Sequence, residues 1–133
     1  MSDALLWIRE QETELQPVLR AARKLVRATL PACTERVHPG WNALSFRLSG
    51  QVCIIYPYRG AVKIAFEYGG LMQDPTNLLQ QTGSRMKFVI LRSAGDVNTS
   101  LANLVRSAAE IDSTDEANAA RDGRRRSIRR RQM

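Results

Sequence analysis

Residues His38–Glu67 read HPGWNALSFRLSGQVCIIYPYRGAVKIAFE, and this stretch decides the fold. Three apolar segments of period two follow one another closely, the pattern of β-strands. In Ala43–Leu48, Leu44, Phe46 and Leu48 share one face, and Ala43, Ser45 and Arg47 share the other. Ser49-Gly50 is a hairpin signal. In Val52–Tyr56, Val52, Ile54 and Tyr56 alternate with Cys53 and Ile55. Both faces of this strand are apolar, which places it in the middle of a sheet. Pro57 to Gly60 turns the chain, after which Val62, Ile64 and Phe66 oppose Lys63, Ala65 and Glu67. Short connections between consecutive strands predict an antiparallel meander. Leu44, Phe46, Ile54, Ile64 and Phe66 are the expected core beneath helices. Cys53, Ile55, Ala65, Val89 and Leu91 are expected on the opposite face, which needs a cover from helices, a second subunit or a ligand.

Outward from this stretch, the flanks read as helices. Ser2 or Asp3 can cap a short helix through Glu10. Thr13-Glu14-Leu15-Gln16 matches a capping box. Leu15, Val18, Leu19, Ala22, Leu25, Val26 and Leu30 follow at helical spacing, with Arg20, Arg23, Lys24 and Arg27 mostly on the other side, until Pro31 ends the helix. A first strand is expected near Glu35–Val37. Asp74-Pro75 predicts a short helix through Leu78 and Leu79, stopped by Gly83. Met86–Leu91 (MKFVIL) is a further strand, and Asp96 is placed as the cap of a last helix carrying Val97, Leu101, Leu104, Val105, Ala108 and Ile111 on one stripe. The expectation is one α+β domain over 1–112. Its curved, mainly antiparallel five-strand sheet is packed by helices near 13–30 and 97–111. Residues 113–133 are expected to form a disordered Arg-rich tail.

Charge and cysteine usage narrow the class. Of the formal net charge of +7, +3 comes from residues 1–112 and +4 from 113–133, where seven arginines face Asp115, Glu116 and Asp122. The high pI is therefore largely a property of the tail. Apolar runs fall far short of a membrane span, and the N-terminus has no positive region before an apolar stretch, so neither a span nor a signal peptide is expected. Cys33 and Cys53 form no disulfide framework, and reduced thiols in a cytoplasm are expected.

Four features now stand in order: a leading amphipathic helix, VHPGWNALSFRL, VCIIYPYRGAVKIAFEYG, and DPTNLLQQTGSRMKFVILRS before a last helix. Together they resemble the YdhG-like domain family, catalogued as a domain of unknown function, over residues 13–111. The resemblance implies a compact α+β fold with a curved antiparallel sheet. Some members are described as frataxin-like intracellular iron chaperones. Frataxin-type iron delivery is associated with an acidic surface, and Glu10, Glu12 and Glu14 are the nearest approach to one here.

Candidate sites are few. His38, the one histidine, sits beside Pro39-Gly40-Trp41; the bland reading is a ring hydrogen-bonded at a strand end. Trp41, Tyr56, Tyr58, Phe66 and Tyr68 read either as cross-strand packing or as the wall of a pocket for a flat ligand. Trp41 and Phe66 are expected in the core, Tyr56 and Tyr58 with a wet end. Arg85, after Gly83-Ser84, offers a cation at a turn whose N–H groups can hold an anion. The ligand candidates are thus His38, Trp41, Tyr56, Tyr58 and Arg85. Arg124, Arg125, Arg126, Arg129, Arg130 and Arg131 are candidate nucleic-acid contacts through phosphate, without aromatics that would read bases. Glu10 with Glu14, and Asp112 with Asp115 and Glu116, read as solvated surface carboxylates, and no metal ligand set or catalytic residue is assigned. No nucleophile and base are paired by the sequence, so the expectation is a non-enzymatic cytoplasmic domain binding a small ligand or a protein, with a homodimer through the sheet face as one form. Nucleic-acid association through the tail and iron carriage stand as alternatives.

Overall fold

The computed structural model describes residues 2–81 and 86–114. Arg85 and the six tail arginines named above lie outside them. Ser2 caps α1 (Asp3–Arg9), its Oγ accepting from the Leu5 N–H at 3.3 Å. The Thr13 capping box does not form. Thr13–Leu15 is a 3-10 turn, and α2 (Gln16–Thr29) starts after it with Pro17 in its first turn. The Gln16 amide instead donates to the Gln11 and Arg9 carbonyls, tying α2 to the end of α1. α3 (Thr99–Asp112) is capped by Asn98, whose Oδ1 accepts from Leu101 N–H. Asp96 serves the turn before it, as its carboxylate accepts from the Arg92 and Ser93 N–H groups.

The strands are β1 (Thr34–His38), β2 (Ala43–Arg47), β3 (Gln51–Tyr58), β4 (Ala61–Phe66), β5 (Gln80–Gln81) and β6 (Lys87–Leu91). They form one sheet in the order β1-β2-β3-β4-β6-β5, antiparallel at every step. The sheet thus has six strands rather than five. The extra one is a two-residue glutamine pair on the β6 edge, held by backbone bonds that leave no hydrophobic signal. The helix expected after Asp74-Pro75 is absent. Asn77 adopts a left-handed backbone (φ 54°), and the Asp74 carboxylate closes the loop by accepting from the Leu78 and Leu79 N–H groups. Arg59 (φ 47°) and Gly60 (φ 75°) make the tight β3–β4 turn that paired left-handed residues favour. Pro57 is accommodated in central β3 because pairing with β2 runs only from Gln51 to Ile55.

All three helices pack on one face of the sheet. Trp7 and Ile8 of α1, Leu19 and Val26 of α2, and Leu101 and Val105 of α3 meet Leu44, Phe46, Cys53, Ile55, Ile64, Phe66, Val89 and Leu91 in a single core. The register corrects the expected sidedness of two strands. Leu44 pairs Ile55, Phe46 pairs Cys53 and Ile55 pairs Ile64, so Cys53 and Ile55 face the helices while Ile54 points away. In β6 likewise, Val89 and Leu91 face the helices. A bulge between Phe46 and Arg47 lets Val52 join the same core. Neither β3 nor β6 carries an apolar–polar alternation, so only pairing fixes their sides.

Candidate functional site

The face away from the helices holds a separate cluster, Ala43, Ile54, Ala65 and Phe88, with Tyr56 and Ile90 against it, and no helical residue takes part. The small side chains of Ala43 and Ala65 lie among larger ones on this face, so the sheet surface is uneven there. A cavity of about 640 Å³ opens along it, lined by Trp41, Ala43, Arg47, Gly50, Gln51, Ile54, Tyr56, Glu67, Tyr68 and Met86. From Gln51 to Tyr56 its β3 floor runs about 17 Å. A preformed hollow of this volume, apolar with a few polar groups, suits a small ligand.

Trp41 is 67% exposed and not a core residue as the sequence suggested. The 3-10 knuckle Pro39–Trp41 carries the chain out of the strand alternation and sets the indole over the end of β1. Asn42 then takes a left-handed conformation (φ 50°) and anchors the knuckle from below. Its Oδ1 accepts from Trp7 Nε1–H at 2.9 Å and from the Gln11 amide at 3.1 Å. The indole stacks on the His38 ring at 4.8 Å between centroids and 18° between planes. His38 Nε2 shares a 2.7 Å hydrogen bond with Ser45 Oγ across the β1–β2 pair. Burial, with the nearby charges of Arg36 and Arg47, holds the His38 pKa below its ordinary value, so the ring beneath Trp41 is neutral at pH 7.

The Ser45–His38 contact is a nucleophile–base pair that spacing alone does not reveal. Two observations argue for a structural use. Ser45 is 1% exposed, and the charges nearest His38 are guanidiniums rather than the carboxylate that orients a catalytic imidazole. The guanidiniums of Arg36 and Arg47 make no ion pair or hydrogen bond among the described residues. Further along the face, Lys63 is 7% exposed, with Nζ 3.6 Å from the Tyr58 ring centroid and 3.9 Å from that of Phe88. The Arg59 guanidinium lies 5.2 Å from the same Tyr58 ring. These are cation–π contacts. Tyr58 is exposed, and burial raises the Tyr56 pKa, with a further contribution from Tyr58.

Of the sequence candidates, His38, Trp41 and Tyr56 come together at one end of the trough, and Tyr58 lies beyond it against Lys63. Tyr68, offered with the aromatic group as a pocket wall, lines the trough, and Arg47, Gln51, Glu67 and Met86 line it without having been singled out as ligand candidates. Arg47 and Glu67 were legible through their alternation with Ala43 and Ala65; Met86 lies just before its strand and carried no signal. The Gln51 amide donates to Glu67 at 3.5 Å. Behind the trough, Asp112 is not a solvated surface carboxylate. It is 2% exposed and accepts from Ser49 N–H at 2.8 Å, Gly50 N–H at 2.9 Å and Tyr68 Oη–H at 2.5 Å. It therefore fixes two lining residues, Gly50 and Tyr68, against the end of α3.

Among the described residues, no three His, Cys, Asp or Glu side chains converge as metal ligands, and no helix is long and apolar enough to cross a membrane. The class defined by fold and site is an α+β domain with helices on one sheet face and a lined trough on the other. No protein-family model, curated protein or solved structure matches this chain.

Proposed function

We propose that this chain is a non-enzymatic, cytoplasmic binding domain of the YdhG-like kind, whose ligand lies in the trough on the uncovered sheet face. The observation that carries the reading is the preformed 640 Å³ hollow with an exposed indole at one end and, on its wall, the Arg47 guanidinium, which has no ion-pair partner among the described residues. Stacking on Trp41, apolar contact with Ala43 and Ile54, and charge pairing at Arg47 suit a flat ligand that carries an anionic group.

The test is a screen of small aromatic acids and nucleotides by ligand-observed NMR. Hits should compete with one another and lose binding in Trp41→Ala and Arg47→Ala, while Lys24→Ala, in helix α2, changes nothing. A screen whose hits ignore both trough substitutions would falsify the reading.

A further inference from the structure

The trough is one part of a larger surface whose other groups share a chemistry. Trp41 is covered by His38 on one side of its ring, which leaves the other side open. Tyr58, 39% exposed, presents a second aromatic ring at the same end of the sheet. Arg36 and Arg47 stand on this face without a carboxylate partner among the described residues, and Lys63 and Arg59 lie against Tyr58. Among the described residues the trough is lined by a single carboxylate, Glu67. Exposed rings interleaved with cations form a platform on which unpaired bases stack while phosphates are neutralised.

Charge decides between the occupants of such a face. A second copy docked face to face would set Arg36, Arg47 and Arg59 against themselves, and like charges across an interface are costly. A polyanion meets the opposite balance. The chain also carries a net +7, with seven arginines and no aromatic residue in 113–133. The tail thus offers charge without stacking, and the sheet face offers stacking with charge. A duplex hides the base faces that an exposed indole takes, so the fit is to a single strand.

We propose that the uncovered sheet face docks single-stranded nucleic acid, with one base stacked on the free side of Trp41 and backbone phosphates paired with Arg36 and Arg47. This rests on the trough being a binding site and names the class of its ligand. Stacking and phosphate contacts are common to RNA and DNA, so both bind, within about tenfold of each other.

The test measures anisotropy of labelled 12-nucleotide oligo-U, oligo-dT and a 12-base-pair duplex against the full chain over a salt series. Trp41→Ala should weaken single-strand binding by about 5- to 100-fold. Trp41→Phe, which keeps a stacking ring, should recover most of that loss. Arg47→Ala should weaken binding and reduce the log–log salt slope by about one. Trp41 is exposed, so circular dichroism and thermal midpoints should match the parent. Duplex binding as tight as single-strand binding, or a Trp41→Ala chain that binds like the parent, overturns the proposal and leaves plain electrostatics of the tail. Self-association lost on Trp41→Ala, with no oligonucleotide bound, overturns it in favour of a second copy. Small aromatic anions that bind through Arg47 while oligonucleotides do not would sink this proposal and leave the trough reading standing; binding of neither removes both.

Discussion

The two faces of this sheet are built on different terms. The covered face is sealed by three helices, and its large side chains, Phe46, Phe66, Ile55 and Ile64, are all 0% exposed. The other face also buries residues, yet no helix among the described residues lies over it. Ala43, Ile54, Ala65 and Phe88 are 1–7% exposed because longer neighbours lean across them, among them Lys63 between Tyr58 and Phe88. One face is closed by secondary structure and contributes stability. Among the described residues the other is closed only by side chains, retains a hollow and collects cations without carboxylate partners. Low exposure on its own therefore does not distinguish a core from a site; what packs above the residue does.

The sharpest way to break this comparison is a matched pair of truncations. Phe46→Ala removes a ring enclosed by helices and sheet and should cost about 4 kcal/mol. Phe88→Ala removes a ring of the same size with one side of its surroundings open to collapse, and should cost about half as much. Urea unfolding of both variants reads the difference directly. Equal losses would show that the second face is packed as tightly as the first.

The next largest effect concerns the tie between the faces. Asp112 sits at the C-terminal end of α3, where the helix dipole disfavours a carboxylate, and three donors from the β2–β3 turn and Tyr68 compensate it. Asp112→Asn cannot accept from all three with equal strength and should cost about 2–3 kcal/mol. Because Gly50 and Tyr68 line the trough, ligand affinity should fall as well, even though Asp112 lines no part of it. A stability loss with unchanged trough binding would separate the two faces more completely than the hydrogen bonds imply.

A smaller effect is expected at the edge of the covered face. Arg23 holds Glu35 by two hydrogen bonds of 2.9 and 2.7 Å, and Arg27 adds a third at 2.8 Å. Burial pushes the Glu35 pKa up, but the Arg23 hydrogen bond and the two arginine charges outweigh it and hold it below the ordinary value. A depressed carboxyl pKa adds stability that is present above the unfolded value, near 4.5, and is lost as pH falls through the folded value. Glu35→Gln should cost about 1–2 kcal/mol at pH 7 and should flatten the acid limb of a stability–pH curve.

Much of the covered face was legible in the sequence. The stripes of α2 and α3 and the alternation of Leu44 with Phe46 and of Ile64 with Phe66 have the periods that mark a buried side. Ile54 failed because β3 is apolar at five consecutive positions, and a period-two signal disappears when both phases are hydrophobic. Trp41 failed because a 3-10 knuckle interrupts the count, and apolarity alone does not say that a ring ends up outside. Gln80-Gln81 failed because an edge pairing is made by backbone groups, which no side-chain pattern records. Of the site, Trp41, Tyr56 and Tyr58 could be nominated from aromatic grouping, and His38 as the one histidine, beside Pro39-Gly40-Trp41. The Ser45 partner of His38 and the burial of Asp112 depend on register and on where α3 ends.

The least perturbing probe of the open face is His38 itself. The chain has one histidine, so a proton NMR titration follows a single imidazole ring. Its pKa is lowered by burial first and by Arg36 and Arg47 next. The midpoint should therefore fall below the ordinary value of about 6.5. In the window between the two values the unfolded chain binds more protons than the native one, so stability decreases as pH falls through 6.5, and His38→Gln should remove that slope. Arg47→Ala deletes one of the two positive neighbours while leaving the burial, and should move the midpoint part of the way back up. The effect is electrostatic between partly exposed groups, so it should shrink between 20 mM and 500 mM salt. A midpoint at 6.5 that ignores both Arg47 and salt would mean that the cations on this face do not share a field with the stacked pair, and the comparison between a closed apolar face and an open cationic one would lose its electrostatic half.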